Sequence, residues 1–212
     1  MKSILCWHFT DGMKLRDGQK LVAGRTYRHR GTVVPCKSGL HASVRLIDAL
    51  RYAPGPHLSR VEMRGEVIEH GDPVDKIVGC ERKVLWHMDA TRVLLLFACW
   101  VVEDTLKAER KAGREPHPDS WAAPKARRAW LAGRITDAQL SAAKSAAESA
   151  AESAARSAAY SAARSAAYSA ARSAAYSAAH LAAYSAAYSA ASKRQNRKLT
   201  SMILQARAKG IE

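Results

Sequence analysis

The stretch SAAKSAAESAAESAAR (residues 141–156) opens thirteen consecutive Ser-Ala-Ala-x tetrads that continue to residue 192, with Leu181 in place of one serine. This repeat fills a quarter of the 212-residue chain, and neither Gly nor Pro interrupts residues 134–209. Alanine is the best helix former, so the repeat predicts an α-helical region. As one helix it would be about 78 Å long, at about 1.5 Å per residue. Just upstream, Thr136 and Gln139 have the spacing of a capping box, which marks a helix start.

The four-residue period says how such a helix packs. Four residues turn a helix by about 400°, so the stripe of x residues drifts by about 40° per tetrad. No fixed apolar face results, and no heptad coiled coil is encoded. Ala and Ser on nearly every side permit close helix packing, which favours a hairpin, a bundle or pairing between copies. Stacked β-strands are an alternative because four is a multiple of two, although alanine is depleted in strands.

Charge favours an acidic partner. The net charge is +15, and the last twenty residues are the most basic segment. Leu199, Met202, Ile203 and Ala206 recur at helical spacing there, which predicts a basic amphipathic helix. The residues that would contact nucleic acid or a protein partner are the basic ones of the tail and the Arg/Tyr ladder of the repeat: Lys193, Arg194, Arg197, Lys198, Arg207, Lys209, Arg156, Tyr160, Arg164, Tyr168, Arg172 and Tyr176. A solvated basic surface is the alternative interpretation. No motif supports sequence-specific readout.

Cysteine usage and hydropathy bear on location. The four cysteines form no C-x-x-C pair, and no secretory leader is recognisable, which predicts reduced thiols. The longest strongly apolar run, residues 93–102, is too short to span a membrane. We therefore expect a cytoplasmic protein that does not bind a membrane.

The remaining pattern divides the chain into four parts. Short runs rich in β-formers before residue 90 predict an α+β domain with mainly antiparallel strands (residues 1–90). Residues 3–9 would form an opening strand, and 58–68 would form a strand that ends near a turn at 70–73. Residues 21–30 would pair with 32–35, and 76–78 and 83–86 would be separate short strands. A helical connector with a Pro-rich loop follows (91–135), in which the loop covers 113–124 and a short helix covers 125–131. The repeat (136–192) and the basic tail (193–212) complete the chain.

The first domain carries several motifs, of which Cys36-x-Ser38-Gly39-Leu40-His41-Ala42 is the most specific. It is accompanied by Thr26-Tyr27-x-His29, by Asp48-Ala49-Leu50-x-Tyr52-x-Pro54, by Arg60-Val61-Glu62-x-x-Gly65-Glu66, and by Asp75-Lys76-Ile77-Val78. Together these motifs resemble an uncharacterised family found in bacteriophages and prophages. Members often carry Ala-rich repeats behind this domain. The resemblance covers roughly residues 3–85 and implies a phage origin without implying an activity. Residues 96–140 also resemble a helical segment of immunity-type bacterial proteins, through Ala98-Cys99 and Ala129-Trp130-Leu131.

His41 is the leading candidate for chemistry because it follows Gly39 in a loop. Cys36 and His41 could form a nucleophile pair, or they could simply cap the turn and pack. The Gly39-Leu40-His41 turn, the short helix after it and a strand with Arg60-Val61-Glu62 loosely resemble mono-ADP-ribosyltransferases. This resemblance implies that His41 and Tyr52 bind a nicotinamide dinucleotide while Glu62 or Glu66 polarises the ribose. A zinc site would need Cys36, His41, Cys80 and His87, whose spacings are poor.

The sequence thus favours a non-enzymatic protein with no metal and no cofactor. We expect a phage-type interaction or assembly protein in which residues 141–192 mediate self-association or partner binding. An enzyme centred on His41 and a non-specific nucleic-acid binder are the alternatives.

Overall fold

The computed structural model describes residues 3–150 and 174–210, with side chains for 3–150 and 189–210. The chain divides after Leu94 and again after Lys193 into two compact units. The first unit joins the residues up to Leu94 to those from Arg194 onward, and the second comprises Leu95–Lys193. An antiparallel sheet is followed by helices, so the predicted α+β class is confirmed.

The sheet has five strands among the described residues. They are β1 (Ile4–Thr10), β2 (Thr26–Arg28), β3 (Leu40–Ala42), β4 (His57–His70) and β5 (Lys76–Asp89). The order is β1-β4-β5-β2, and β3 also pairs with β5. Because β4 and β5 form a long hairpin whose turn covers residues 71–75, β3 lies beside the end of β5 that leaves this turn.

The helices follow the chain order. They are α1 (Leu46–Arg51), α2 (Thr91–Lys111), α3 (Pro118–Leu131), α4 (which starts at residue 137 and is described to 150) and α5 (Ala174–Ala208). The capping box is confirmed, since the Thr136 N–H donates to Gln139 Oε1 at 2.9 Å and the Gln139 N–H to Thr136 Oγ1 at 3.3 Å. No helix within the described residues is both long and apolar enough to cross a membrane.

Successive side chains of a strand point to opposite faces of the sheet. Other parts of the chain pack on both faces. On one face Cys6, Met63 and Val84 are buried together with Leu15 and Leu21 from the loop after β1. On the other face the rings of Trp7 and Trp86 meet edge to face, with centroids 5.8 Å apart. The end of α5 reaches this second face, where the Arg207 guanidinium lies 4.4 Å from the Trp86 ring centroid.

Three local expectations were wrong. β5 is one continuous strand that runs through Gly79. Glycine fits there because a Cβ on residue 79 would stand only 3.0 Å from the Glu66 carbonyl oxygen of β4. β2 pairs with β5 instead of residues 32–35, where Val34 bridges to Ser38 in a tight turn. α3 starts seven residues early, at Pro118, since proline fits the first helical turn and His117 caps it.

The repeat is helical wherever the structure describes it, in α4 and in α5. Five residues of the predicted Arg/Tyr ladder lie outside the described residues: Arg156, Tyr160, Arg164, Tyr168 and Arg172. The sixth, Tyr176, lies in α5, and its side chain is outside them as well.

Candidate functional site

The turn before β3 holds Cys36 in an unusual backbone conformation. Cys36 has φ +64°, which non-glycine residues rarely adopt, and Gly39 has φ +109°. A Cβ on Gly39 would stand 2.6 Å from Val78 Cγ2, so only glycine fits there. The Cys36 N–H donates to His41 Nε2 at 3.2 Å. The imidazole of His41 therefore stabilises the turn that presents the Cys36 thiol to solvent.

Two basic side chains from the β4–β5 turn converge on this thiol. His70, the last residue of β4, places its Nε2 3.5 Å from Cys36 Sγ. Lys76, the first residue of β5, interacts with the Cys36 side chain, and this interaction is the main reason why the pKa of Lys76 is raised. A thiol between an imidazole and an ammonium group has the neighbours that stabilise a thiolate.

Tyr52 and Asp75 border the same cluster. The Tyr52 hydroxyl donates to Asp75 Oδ2 at 2.5 Å, and this hydrogen bond raises the pKa of Tyr52. Lys76 Nζ lies 4.4 Å from the Tyr52 ring centroid, and Arg51 lies 3.9 Å from the Asp75 carboxylate. Asp75 is thus engaged by Tyr52 and Arg51, so its charge is partly compensated. We call Cys36, His41, Tyr52, His70, Asp75 and Lys76 the Cys36 cluster.

His41 is a supporting residue in this geometry. Burial and then the neighbouring Lys76 lower the pKa of His41, which favours the neutral ring. Its Nε2 accepts the Cys36 N–H, so the ring proton is on Nδ1. His41 is therefore not placed to take a proton from the thiol, whereas His70 is.

A buried polar group lies next to His41. Arg82 is 4 % exposed, and its Nη1 donates to the His41 carbonyl oxygen at 2.8 Å. Burial lowers the pKa of Arg82 to about 10. It also lowers the pKa of His8 well below its usual value, with Arg82 and His41 acting in the same direction. Within the described residues, Arg82 Nε and His8 Nδ1 have no hydrogen-bond partner.

Of the two carboxylates predicted to act with His41, Glu62 lies away from it. His41 is paired with Val78 on β5, whereas Glu62 is paired with Lys83, five residues or about 17 Å further along the strand. Glu62 there accepts a hydrogen bond from Arg64, which lowers its pKa. Glu66 is exposed at the bulge of β4. Glu62 is therefore separated from His41, whereas the backbone of Glu66 lies beside Gly79, the neighbour of Val78.

The four zinc-ligand candidates are also dispersed. Cys36 and His41 lie in one turn, but Cys80 contacts the Arg64 carbonyl oxygen and His87 contacts His57 at 3.1 Å. Over residues 3–150 and 174–210, no three His, Cys, Asp or Glu side chains are grouped so that they could hold a metal ion.

Sequence reasoning missed His70, Asp75 and Lys76 as members of the cluster. His70 and Asp75 flank the turn of the β4–β5 hairpin, a local feature that the Gly71-Asp72-Pro73 motif does indicate. That this turn meets Cys36 depends on the pairing of β3 with β5, a contact between residues far apart in sequence. No local pattern could have supplied it.

The predicted basic tail is a docked helix. Ile47 N–H donates to Asn196 Oδ1 at 3.0 Å, and Leu199 and Ile203 are fully buried. These residues lie on one stripe with Arg207, whose guanidinium covers Trp86. Lys193, Arg197 and Lys209 are exposed, while Arg194 and Lys198 are exposed but take part in other contacts.

Comparison with known proteins finds one matching family, whose function is unknown. Residues 4–96 match a family described as "Domain of unknown function (DUF7666)". The match covers β1 to β5 and the Cys36 cluster, in line with the uncharacterised domain expected there. No curated protein and no solved structure matches the chain.

Proposed function

We propose that this chain is a phage-encoded interaction or assembly protein of the host cytoplasm, in which residues 141–192 mediate self-association or partner binding. The observation that carries the proposal is the docking of the C-terminal helix on the N-terminal unit. The chain leaves that unit after Leu94 and returns to it at Arg194. The repeat is therefore an internal segment, and both of its ends continue into folded protein.

Anchoring at the C-terminal end rests on specific contacts. Leu199 and Ile203 each have 0 % exposure, and Asn196 hydrogen-bonds the backbone of α1. At the other end Leu140, directly before the first tetrad, is 7 % exposed. A segment held in place at its ends has less conformational freedom to lose on binding than a free tail, and this favours association.

The beginning of the repeat also leaves its surface uncovered. Every residue from 141 to 150 is half-exposed or exposed, and eight of the ten are Ala or Ser. The distance between packed helices depends on the side chains at the contact. Small side chains on nearly all sides therefore suit this surface to close packing against another helix.

Co-purification of two tagged copies tests self-association. Two differently tagged full-length chains are co-expressed, one is captured, and the other is quantified. The control replaces residues 141–188 by a Gly/Ser segment of equal length, which keeps the docked part of α5. We expect co-capture of the full chain and loss of co-capture with the replacement. Equal co-capture of both would show that the repeat is not the interface.

Non-specific nucleic-acid binding is the second candidate. It is favoured by the outward position of Lys193, Arg197 and Lys209 on a helix whose apolar stripe is buried. Phosphate contacts of this kind make affinity salt-dependent. The test is fluorescence anisotropy with random duplex DNA at several salt concentrations. The triple variant K193Q/R197Q/K209Q should weaken binding and flatten the salt slope, and an unchanged slope would refute this candidate.

A further inference from the structure

We propose that Cys36 is a nucleophilic thiol that reacts with small anionic disulfides, with His70 as its base and Lys76 as the cation that stabilises the thiolate. This is a covalent modification site, and it is independent of the assembly function proposed above. It rests on the geometry of the Cys36 cluster, in which an exposed thiol is held against two basic side chains.

The contacts assign the separate roles. His70 Nε2 is 3.5 Å from Cys36 Sγ, within the range of a hydrogen bond to sulfur, so it can accept the thiol proton. Lys76 interacts with the thiol and cannot be a base while it is an ammonium ion. A nucleophile and a base in hydrogen-bond contact are part of the usual pattern of an activated nucleophile.

The position of the thiol is fixed by backbone contacts. The His41 ring accepts the Cys36 N–H, and Gly39 packs against Val78 on β5. The backbone of Cys36 has a positive φ, a conformation that costs energy for a residue with a Cβ. A strained backbone retained at a reactive group is often part of its function. The other cysteines of this unit differ, since Cys6 is fully buried and Cys80 is half-buried against the Arg64 carbonyl oxygen.

Charge selects the class of disulfide. Two cations of this region, Lys76 and Arg51, outnumber the one carboxylate of the Cys36 cluster, Asp75, which is engaged by Tyr52 and Arg51. An approaching disulfide with carboxylates of its own is attracted by this excess of basic groups, whereas a cationic disulfide is repelled. The thiol is exposed, so a small disulfide reaches it without opening of the fold.

The reaction balances with the disulfide as the oxidant. His70 takes the Cys36 proton, the thiolate attacks one sulfur of the disulfide, and a Cys36–S bond forms as the S–S bond breaks. The departing thiolate takes the proton from His70 and leaves as a thiol. Cys36 is oxidised to a mixed disulfide, and half of the small disulfide is reduced.

The test measures the rate at which oxidised glutathione modifies the reduced full chain, by intact-mass spectrometry and peptide mapping. We expect the first adduct on Cys36 and no early adduct in Cys36→Ser. His70→Asn and Lys76→Met should slow the reaction about tenfold, because the first removes the base that accepts the thiol proton and the second removes the cation beside the attacking sulfur. Lys37→Met is the matched control, since it removes an exposed positive charge next to Cys36 without touching the Lys76 contact, and its rate should stay within about twofold of the parent.

Three results would overturn the proposal. They are a first adduct on Cys80, equal rates for His70→Asn, Lys76→Met and Lys37→Met, and an equal preference of the parent and Lys76→Met for oxidised glutathione over the cationic disulfide cystamine. Far-UV circular dichroism establishes that each variant is folded before its rate is compared.

Discussion

The backbone at Gly39 explains why the Cys36 turn has its shape. With φ +109° and Val78 Cγ2 at 2.6 Å from a would-be Cβ, this position combines a left-handed conformation with a close approach of β5. Gly18 has φ +82° but nothing within 4 Å of its Cβ position. An alanine substitution at Gly18 therefore tests the cost of backbone strain alone, and one at Gly39 tests the cost of strain together with steric overlap.

Gly39→Ala should lower the free energy of unfolding by about 2–4 kcal/mol, the sum of left-handed strain and overpacking. Gly18→Ala should cost only about 1 kcal/mol, since strain alone applies. Urea denaturation of both variants measures the difference. Equal losses would mean that the chain at residue 39 relaxes away from Val78, and the tight turn proposed to present Cys36 would lose its support.

Desolvation of the half-buried His8 ring predicts a dependence of stability on pH. The pKa of His8 in the folded chain lies well below 6.5, so below that pH the unfolded chain binds a proton that the folded chain does not. The free energy of unfolding should thus fall as pH decreases from about 6.5, by at most about 1.4 kcal/mol per pH unit for this group. His41, whose pKa is also lowered, adds to this slope.

Replacing His8 by Phe should make the stability less dependent on pH between about 6.5 and 5. Urea unfolding at several pH values measures this slope, with His29→Asn, a half-exposed histidine, as the control. If His8→Phe retains the parent slope while His29→Asn removes it, the assignment to His8 is wrong.

At the scale of elements, the docked part of α5 holds the N-terminal unit together. Leu199 is fully buried, whereas Leu204, five residues further along the same helix, is 48 % exposed. Leu199→Ala should destabilise by about 2–5 kcal/mol, because a cavity is added to the lost transfer energy. Leu204→Ala should change stability by less than about 1 kcal/mol. Guanidinium unfolding followed by tryptophan fluorescence compares them, and similar losses for both would contradict the docking.

Elements were predictable where a local signal defines them. The capping box at Thr136, the strand β1 and the turn after His70 all have such signals, and all occur in the structure. The Ile203 stripe also predicted an amphipathic helix, but an apolar stripe does not say what it packs against. Its docking next to Asn196 and α1 depends on a contact across 149 residues of sequence.

The candidate site was predictable only in part, for the same reason. The Cys36-x-x-Gly39-x-His41 spacing indicates a tight turn that presents a thiol and an imidazole. The partner of that thiol, His70, comes from the sheet pairing, and its 34-residue separation has no local pattern. His41 was the leading candidate because it adjoins Gly39, yet the geometry gives it the task of holding the turn.

In the whole molecule, the repeat lies in sequence between the two segments of the first unit, which end at Leu94 and begin again at Arg194. The first unit needs the C-terminal helix for its packing, so a truncation before the repeat would remove Leu199 and Ile203 together with the repeat. An internal replacement of residues 141–188 separates the two effects. The oligomeric state of such a chain therefore reports on the repeat itself.

Light scattering on the full chain and on the Gly/Ser replacement, over a range of protein concentrations, measures whether the repeat mediates self-association. We expect a molar mass above that of the 23.1 kDa chain for the parent, and the mass of a single chain for the replacement. A parent that stays at the mass of one chain at every concentration would contradict self-association through the repeat.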